Sequence, residues 1–280
     1  RDLVRSRGLG DVYKRQEELL KAVSRSDIDS PHIVIVPDRA SLAAERSMLA
    51  AVGGSFNIQV FTFNRYAGLI APETLKPLSG QMAVLEMMKV IEQNADRLVC
   101  FSGAGNTEGF ARKIYDVISL LKYNRISPEK LLCACDDKAL SLKLKDIALV
   151  YSAFQASVEN RYLDSADKLE TLLNAVGSSE QVKKSVYYIY DFDGLSVQEE
   201  AIVESLVRYS RGVYAACAAG AGYMYSNGFY ASLNRIAAKT GGCREINVRE
   251  DGSEVLSARE QALLFGTVDK PAPLPREEFT

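Results

Sequence analysis

Residues 32–70 read HIVIVPDRASLAAERSMLAAVGGSFNIQVFTFNRYAGLI, and the alternation inside this run decides the fold class. HIVIVP (32–37) is a short, unbroken, β-branched apolar run stopped by Pro37, the mark of a buried parallel strand. DRASLAAERSMLAAV (38–52) has helical spacing and is closed by Gly53 and Gly54. NIQVFTF (57–63) reads as a second strand, and NRYAGLI opens another helix. With EELLKAV (17–23) as the end of a preceding helix, the order α-β-α-β-α predicts a parallel α/β sheet.

Working outward, the pattern from 73 to 183 is helical throughout. Ser79 is placed to cap GQMAVLEMMKVIEQ. Phe110, Ile114, Val117, Ile118 and Leu121 fall on one helical face, and so do Leu144, Ile147, Ala148, Tyr151, Phe154 and Val158. Ser127-Pro128 is a cap followed by Pro at the first helical position, and Asp164 or Ser165 caps ADKLETLLNAV. Strand character returns at SVYYIY (185–190). Ser196-x-x-Glu199 then forms a capping box before AIVESLV. GVYAACA (212–218) is a further buried strand, followed by a Gly/Tyr-rich loop (219–228) and a helix at 229–240. REINV (244–248) reads as an edge strand and SAREQALLF (257–265) as a last helix. The predicted organisation is an α/β domain in two parts, 17–72 and 184–280, interrupted by an all-helical insertion at 73–183. Residues 1–16, RDLVRSRGLGDVYKRQ, have no clear period, resemble a translated linker artefact, and are left out of the fold reading. The start at Arg and the proline-rich end are expected to be cut ends of a longer chain.

The composition narrows the function. A net charge of -2 excludes binding of nucleic acid by bulk positive charge, so any such role needs local contacts or a basic partner. No apolar run has the length of a membrane span, and no secretory signal is evident. The five cysteines are odd in number, and Cys133-Ala-Cys135 lacks zinc spacing, so reduced thiols and a cytoplasmic protein are expected. His32, the single histidine, precedes a strand and reads as structural.

Three strand ends carry polar turns: PDRA after the first strand, TFNR after the second, and DFDG in YYIYDFDGLSVQEE (187–200). At the C-terminal edge of a parallel sheet such turns face the ligand crevice. The order of these junctions, with a helical insertion between the second and third, resembles superfamily 1 helicases of the UvrD type. More closely, IVIVPDRASLAAE, GFAR…LLKYNRISPEKL, KLKDIALVYSAF…RYLDSADKL and IYDFDGLSVQEE resemble, in order, segments of the B subunit of AddAB (RexAB) helicase–nucleases.

That resemblance implies a P-loop, helicase-like sheet with a 1B-like helical insertion. It implies a cytoplasmic role in DNA double-strand break repair by recombination, through DNA end processing and Chi recognition, with an A subunit and DNA (single strands and duplex ends) as partners and no membrane. ATP and Mg2+ serve the parent complex, a helicase and exonuclease, and an iron–sulfur cluster belongs to a distant C-terminal domain. By the same resemblance Thr62, Phe63, Asn64, Arg65 and Arg39 are the DNA-binding candidates. The family's glycine-rich phosphate loop belongs just before the helix at 17–23; that place holds RGLGDVYKRQ, which lacks Gly-Lys-Ser/Thr, and the native loop is expected to have been lost by truncation. If SVQE aligns with the family's TPQE, Tyr190 falls at the Mg2+-binding Asp of a motor and Asp191 at its catalytic Glu. A one-residue slip makes Asp191 the metal carboxylate. In either register one carboxylate stands where hydrolysis needs two, so Asp191 reads as a relic and no residue as catalytic or metal-ligating. The chain by itself is expected to be inactive as an enzyme. The alternative is a stand-alone P-loop-like NTPase, or an interaction module that docks partners through the helical insertion.

Overall fold

A computed structural model of the chain describes residues 4–5, 30–52, 57–71, 75–103, 107–133, 137–217, 227–242 and 244–245. The helices expected at 17–23 and 257–265, and nearly all of the loop at 219–228, lie outside them. The chain divides into two compact units. One comprises Arg1–Thr62, Glu180–Leu195 and Leu206–Thr280; the other comprises Phe63–Ser179 and Ser196–Ser205.

The first unit is built on a six-stranded sheet, every described pair of which is parallel. In chain order its strands are β1 (Val4–Arg5), β2 (His32–Ile35), β3 (Ile58–Phe61), β6 (Val186–Tyr190), β7 (Gly212–Ala216) and β8 (Arg244–Glu245). Across the sheet the order is β3-β2-β6-β7-β1-β8. The register sets Ile33 beside Tyr187 and Val213, and Ile35 beside Ile189 and Ala215. All six side chains are buried on one face of the sheet. The other face carries Val34, Val36, Ile58 and Val60, packed with Ala40 and Ala44. It also carries Tyr188 stacked on Tyr214, with ring centroids 5.4 Å apart. His32 Nδ1 lies 3.2 Å from the Tyr188 hydroxyl and the imidazole is buried, the structural role expected of it.

Val4 and Arg5 sit in the sheet between β7 and β8, although residues 1–16 are left out of the sequence-based fold. A two-residue backbone pairing leaves no periodicity to detect. The second strand ends at Phe61, and Phe63 already opens the helix Phe63–Ile70.

The second unit is helical: Phe63–Ile70, Gly80–Gln93, Glu108–Tyr123, Pro128–Leu132, Lys138–Val158 and Ser165–Val176, with the first turns of Val197–Tyr209. The expected caps form. Ser79, Ser127 and Asp164 accept from the backbone N–H of Met82, Lys130 and Asp167, and Ser196 and Glu199 bond reciprocally as a capping box. The core gathers Met87, Val90, Ile91, Ile114, Ile118, Tyr151 and Phe154. Two expectations are corrected here. Val117, assigned to the apolar stripe, is exposed, and Ala111 and Lys122 join Ile114 and Ile118 among the buried residues of that helix. The stretch 73–183 is not purely helical, because β4 (Lys76–Pro77) pairs in parallel with β5 (Tyr162–Leu163). That pairing, too, is only two residues long. No helix among the described residues is long and apolar enough to cross a membrane.

Candidate functional site

In the sheet unit, β2 and β6 are neighbours, but the chain leaves them in opposite directions: from β2 outward to β3, and from β6 inward to β7. An open parallel sheet has its crevice at such a switch point, outside the carboxyl ends of the strands. Two sequence-flagged turns meet there. The first is the 3-10 turn Asp38–Ala40 that follows β2, and the second is the DFDG turn, 191–194, that follows β6.

Arg39 joins them. One guanidinium nitrogen donates to Asp193 Oδ2 at 2.9 Å, and the other donates to the backbone carbonyl of Asp191 at 2.6 Å. Asp191 has a φ of 65°, left-handed backbone that a non-glycine residue seldom adopts. Burial pushes its carboxyl above the ordinary 3.8; Arg39 opposes this and the neighbouring Asp193 adds to it. The far side of the turn is also fastened. Phe229 N–H donates to the Asp193 carbonyl at 2.9 Å, and the buried Phe192 and Phe229 rings lie 5.7 Å apart. Gly228 makes this approach feasible, because a Cβ there would stand 2.7 Å from the Asp193 oxygen.

A divalent cation placed between these groups would have to displace the guanidinium. Mg2+ takes near-octahedral oxygen ligands, usually one or two carboxylates with waters and phosphates. Here Asp193 Oδ2 and the Asp191 carbonyl already face Arg39.

The DNA-binding candidates separate. Arg39, in the turn Asp38–Ala40, is engaged by the DFDG turn just described. Thr62 ends the sheet unit and is buried. Phe63, first residue of the helical unit, is only 3% exposed, so its ring offers no face for a base to stack on. Asn64 is half-buried beside Tyr123. Within the Thr62–Arg65 stretch, Arg65 is the exposed residue.

Sequence reasoning missed a buried constellation in the helical unit. Lys122 Nζ lies 2.5 Å from Asp164 Oδ2 and 2.7 Å from Asp167 Oδ1, with its side chain only 7% exposed. Burial works against its charge, but the two carboxylates outweigh burial and hold its pKa above 10.5. Burial, with Asp164 alongside, raises Asp167 in turn, against the pull of Lys122. Around this centre Arg125 pairs with Glu170 at 2.9 Å, and the buried Gln198 amide donates to the Ala166 carbonyl at 3.1 Å. Asp146, also buried, accepts from the N–H groups of Val99, Cys100 and Phe101, a backbone cradle for one carboxylate. The segments LLKYNRISPE, RYLDSADKL and SVQEE, which carry the family resemblance, thus meet as structural fasteners. A lysine on an amphipathic helix ordinarily reads as solvated, and the signal that reveals its burial is spatial.

Together these features define an open, all-parallel α/β sheet protein with polar strand-end turns at its switch point and a separate helical unit. The family is narrower. Residues 6–248 match the family described as ADDB, N-terminal, and the chain belongs to it. It is 29% identical over 208 residues, 71% of its length, to the B subunit of the ATP-dependent helicase/deoxyribonuclease from Clostridium botulinum (strain Loch Maree / Type A3). It is 28% identical over 208 residues to the protein of the same name from Clostridium novyi (strain NT), again 71% of this chain. A third, from Caldanaerobacter subterraneus subsp. tengcongensis, is 27% identical over 213 residues, 72% of this chain. The matches span 17%, 18% and 18% of those relatives' own lengths.

Proposed function

We propose that the chain is the N-terminal, helicase-like part of the B subunit of an ATP-dependent helicase/deoxyribonuclease. In this reading it is a cytoplasmic DNA-binding scaffold that works beside an A subunit in processing DNA ends for recombination. The sheet is a P-loop-type sheet that has kept the topology of a motor without its hydrolytic chemistry, and the helical unit corresponds to the 1B-like insertion. ATP turnover belongs to the partner, and Chi reading belongs to surfaces beyond those described.

The observation that carries the reading is the chemistry at the end of β6. A motor needs a metal-positioning and a water-orienting carboxylate there. In this chain Asp193 is paired with Arg39, and Asp191 meets the same guanidinium through its backbone carbonyl.

The DNA contact is assigned to Arg65, with Thr62 and Asn64 shaping the turn beside it. A phosphate contact positions the strand without reading sequence. Fluorescence anisotropy with two unrelated single-stranded oligonucleotides over a salt series tests it. Arg65→Ala should weaken both complexes equally and lower the salt slope by roughly 0.7, the value for one single-strand phosphate. An unchanged slope, or a loss confined to one oligonucleotide, removes the assignment.

A further inference from the structure

The Arg39 contacts lead beyond the loss of hydrolysis. We propose that Arg39 is the built-in cation of the DFDG turn: it holds residues 191–194 in shape from across the switch-point crevice. Its guanidinium takes the place that a metal-dependent hydrolase gives to a divalent ion. It is a positioning residue for the turn and not a contact for DNA.

Three observations carry this. The first is the geometry of the fork. Two nitrogens of one planar group reach two acceptors of different kinds, a carboxylate oxygen and a carbonyl oxygen, at 2.9 and 2.6 Å. A rigid guanidinium suits that task, whereas a lysine ammonium is a single point charge on a flexible stem. The second is the backbone. The residue whose carbonyl receives Arg39 is Asp191, held at φ 65°, and such a conformation persists where its surroundings over-determine it. The third is the closure of the turn's other side by Phe229 N–H and the close approach of Gly228. With both sides fastened, the backbone of the turn is held at the Asp191 and Asp193 carbonyls, and Asp193 Oδ2 is committed to Arg39. The charges that face the guanidinium are those of Asp191 and Asp193, and Asp38 precedes it in the chain.

The inference stands apart from the assignment of Arg65 to DNA, and the experiment keeps the two separate. Hydrogen exchange of the Phe229 amide, which is bonded to the Asp193 carbonyl, reports the turn; amides inside β7 serve as the internal control. In Arg39→Met, Phe229 should exchange about tenfold faster, the loss expected for one charge-assisted hydrogen bond, with β7 unchanged. Arg39→Lys should fall between the two. Millimolar Mg2+ should leave exchange in the unaltered chain as it was, and Arg39→Met should leave the salt slope for single-stranded DNA unchanged. Three results would overturn the proposal. One is unaltered Phe229 exchange in Arg39→Met. Another is protection by Mg2+ in the unaltered chain that Asp191→Asn abolishes, which would mark a metal site. The third is a drop of about 0.7 in the salt slope on Arg39→Met, which would make Arg39 a phosphate contact.

Discussion

Two cations in this protein are each held by an aspartate-rich turn, and they differ chiefly in depth. Lys122, in the helical unit, is 7% exposed and pairs with Asp164 and Asp167 at the start of helix Ser165–Val176. Arg39, in the sheet unit, is 54% exposed, and its partner Asp193 is 70% exposed. The chemistry is alike, but water decides its consequence. A buried pair, once broken, strands a charge that has no solvent to receive it. An exposed pair is screened, so it sets a geometry while contributing little to stability. Removing the cation should therefore cost the helical unit more stability than the sheet unit.

The largest test of this contrast is Lys122→Met. Leaving Asp164 buried without a partner should cost about 3–5 kcal/mol. At roughly 2–4 °C per kcal/mol, thermal unfolding should move down by about 6–20 °C. Adding Asp164→Asn should restore part of the loss. A drop comparable to that of an exposed pair would erase the distinction between the two sites.

The alkaline limb of stability comes next. Lys122 is raised above its ordinary 10.5, with burial opposing and its carboxylates prevailing. Tyr115, Tyr123 and Tyr151 are raised above 10.0, chiefly by burial. A group whose pKa is raised on folding contributes stability that is full below its unfolded value and is lost as pH rises through the folded one. All four act in this sense, so stability should fall from about pH 10 upward, and the slope should flatten in Lys122→Met. Asp167 follows the same sign at the acid end: its contribution is present below 3.8 and is lost as pH rises through its raised value. Urea midpoints measured from pH 8 upward would reveal the alkaline slope.

In the sheet unit the effects should be smaller. Gly228→Ala drives a Cβ to 2.7 Å from the Asp193 oxygen, and the backbone shift it forces should cost about 1–3 kcal/mol. Asp193→Ala, which removes only the exposed carboxylate, should cost less than about 1 kcal/mol. Urea unfolding of the two variants side by side checks the order. A loss in Asp193→Ala that equals the Lys122→Met loss would mean that exposure does not separate the two cations.

How much of this is legible in the sequence depends on whether the signal is local. The run HIVIVP, the caps Ser79 and Ser127, and the Ser196/Glu199 box declare themselves within a few residues, and each is present. Phe63 reads as strand because an aromatic continuing an alternating run looks like one, while its burial comes from the helix it opens. Val4–Arg5 and the β4–β5 pair are too short for any period. The two cation sites are invisible for another reason. Arg39 and Asp193 are separated by 154 positions, and Lys122 and Asp164 by 42. The sequence flags Arg39, Asp164 and the DFDG turn one by one, and only the fold brings the partners together.

On the reading proposed above, the strand-end turn of the sheet unit is closed by a protein cation and is not a Mg2+-dependent hydrolytic centre. The direct measurement is ATP hydrolysis by the purified chain with Mg2+, with and without single-stranded DNA. The expected result is no turnover in either condition, unchanged in Arg39→Met. Turnover that single-stranded DNA stimulates and Asp191→Ala abolishes would contradict the account.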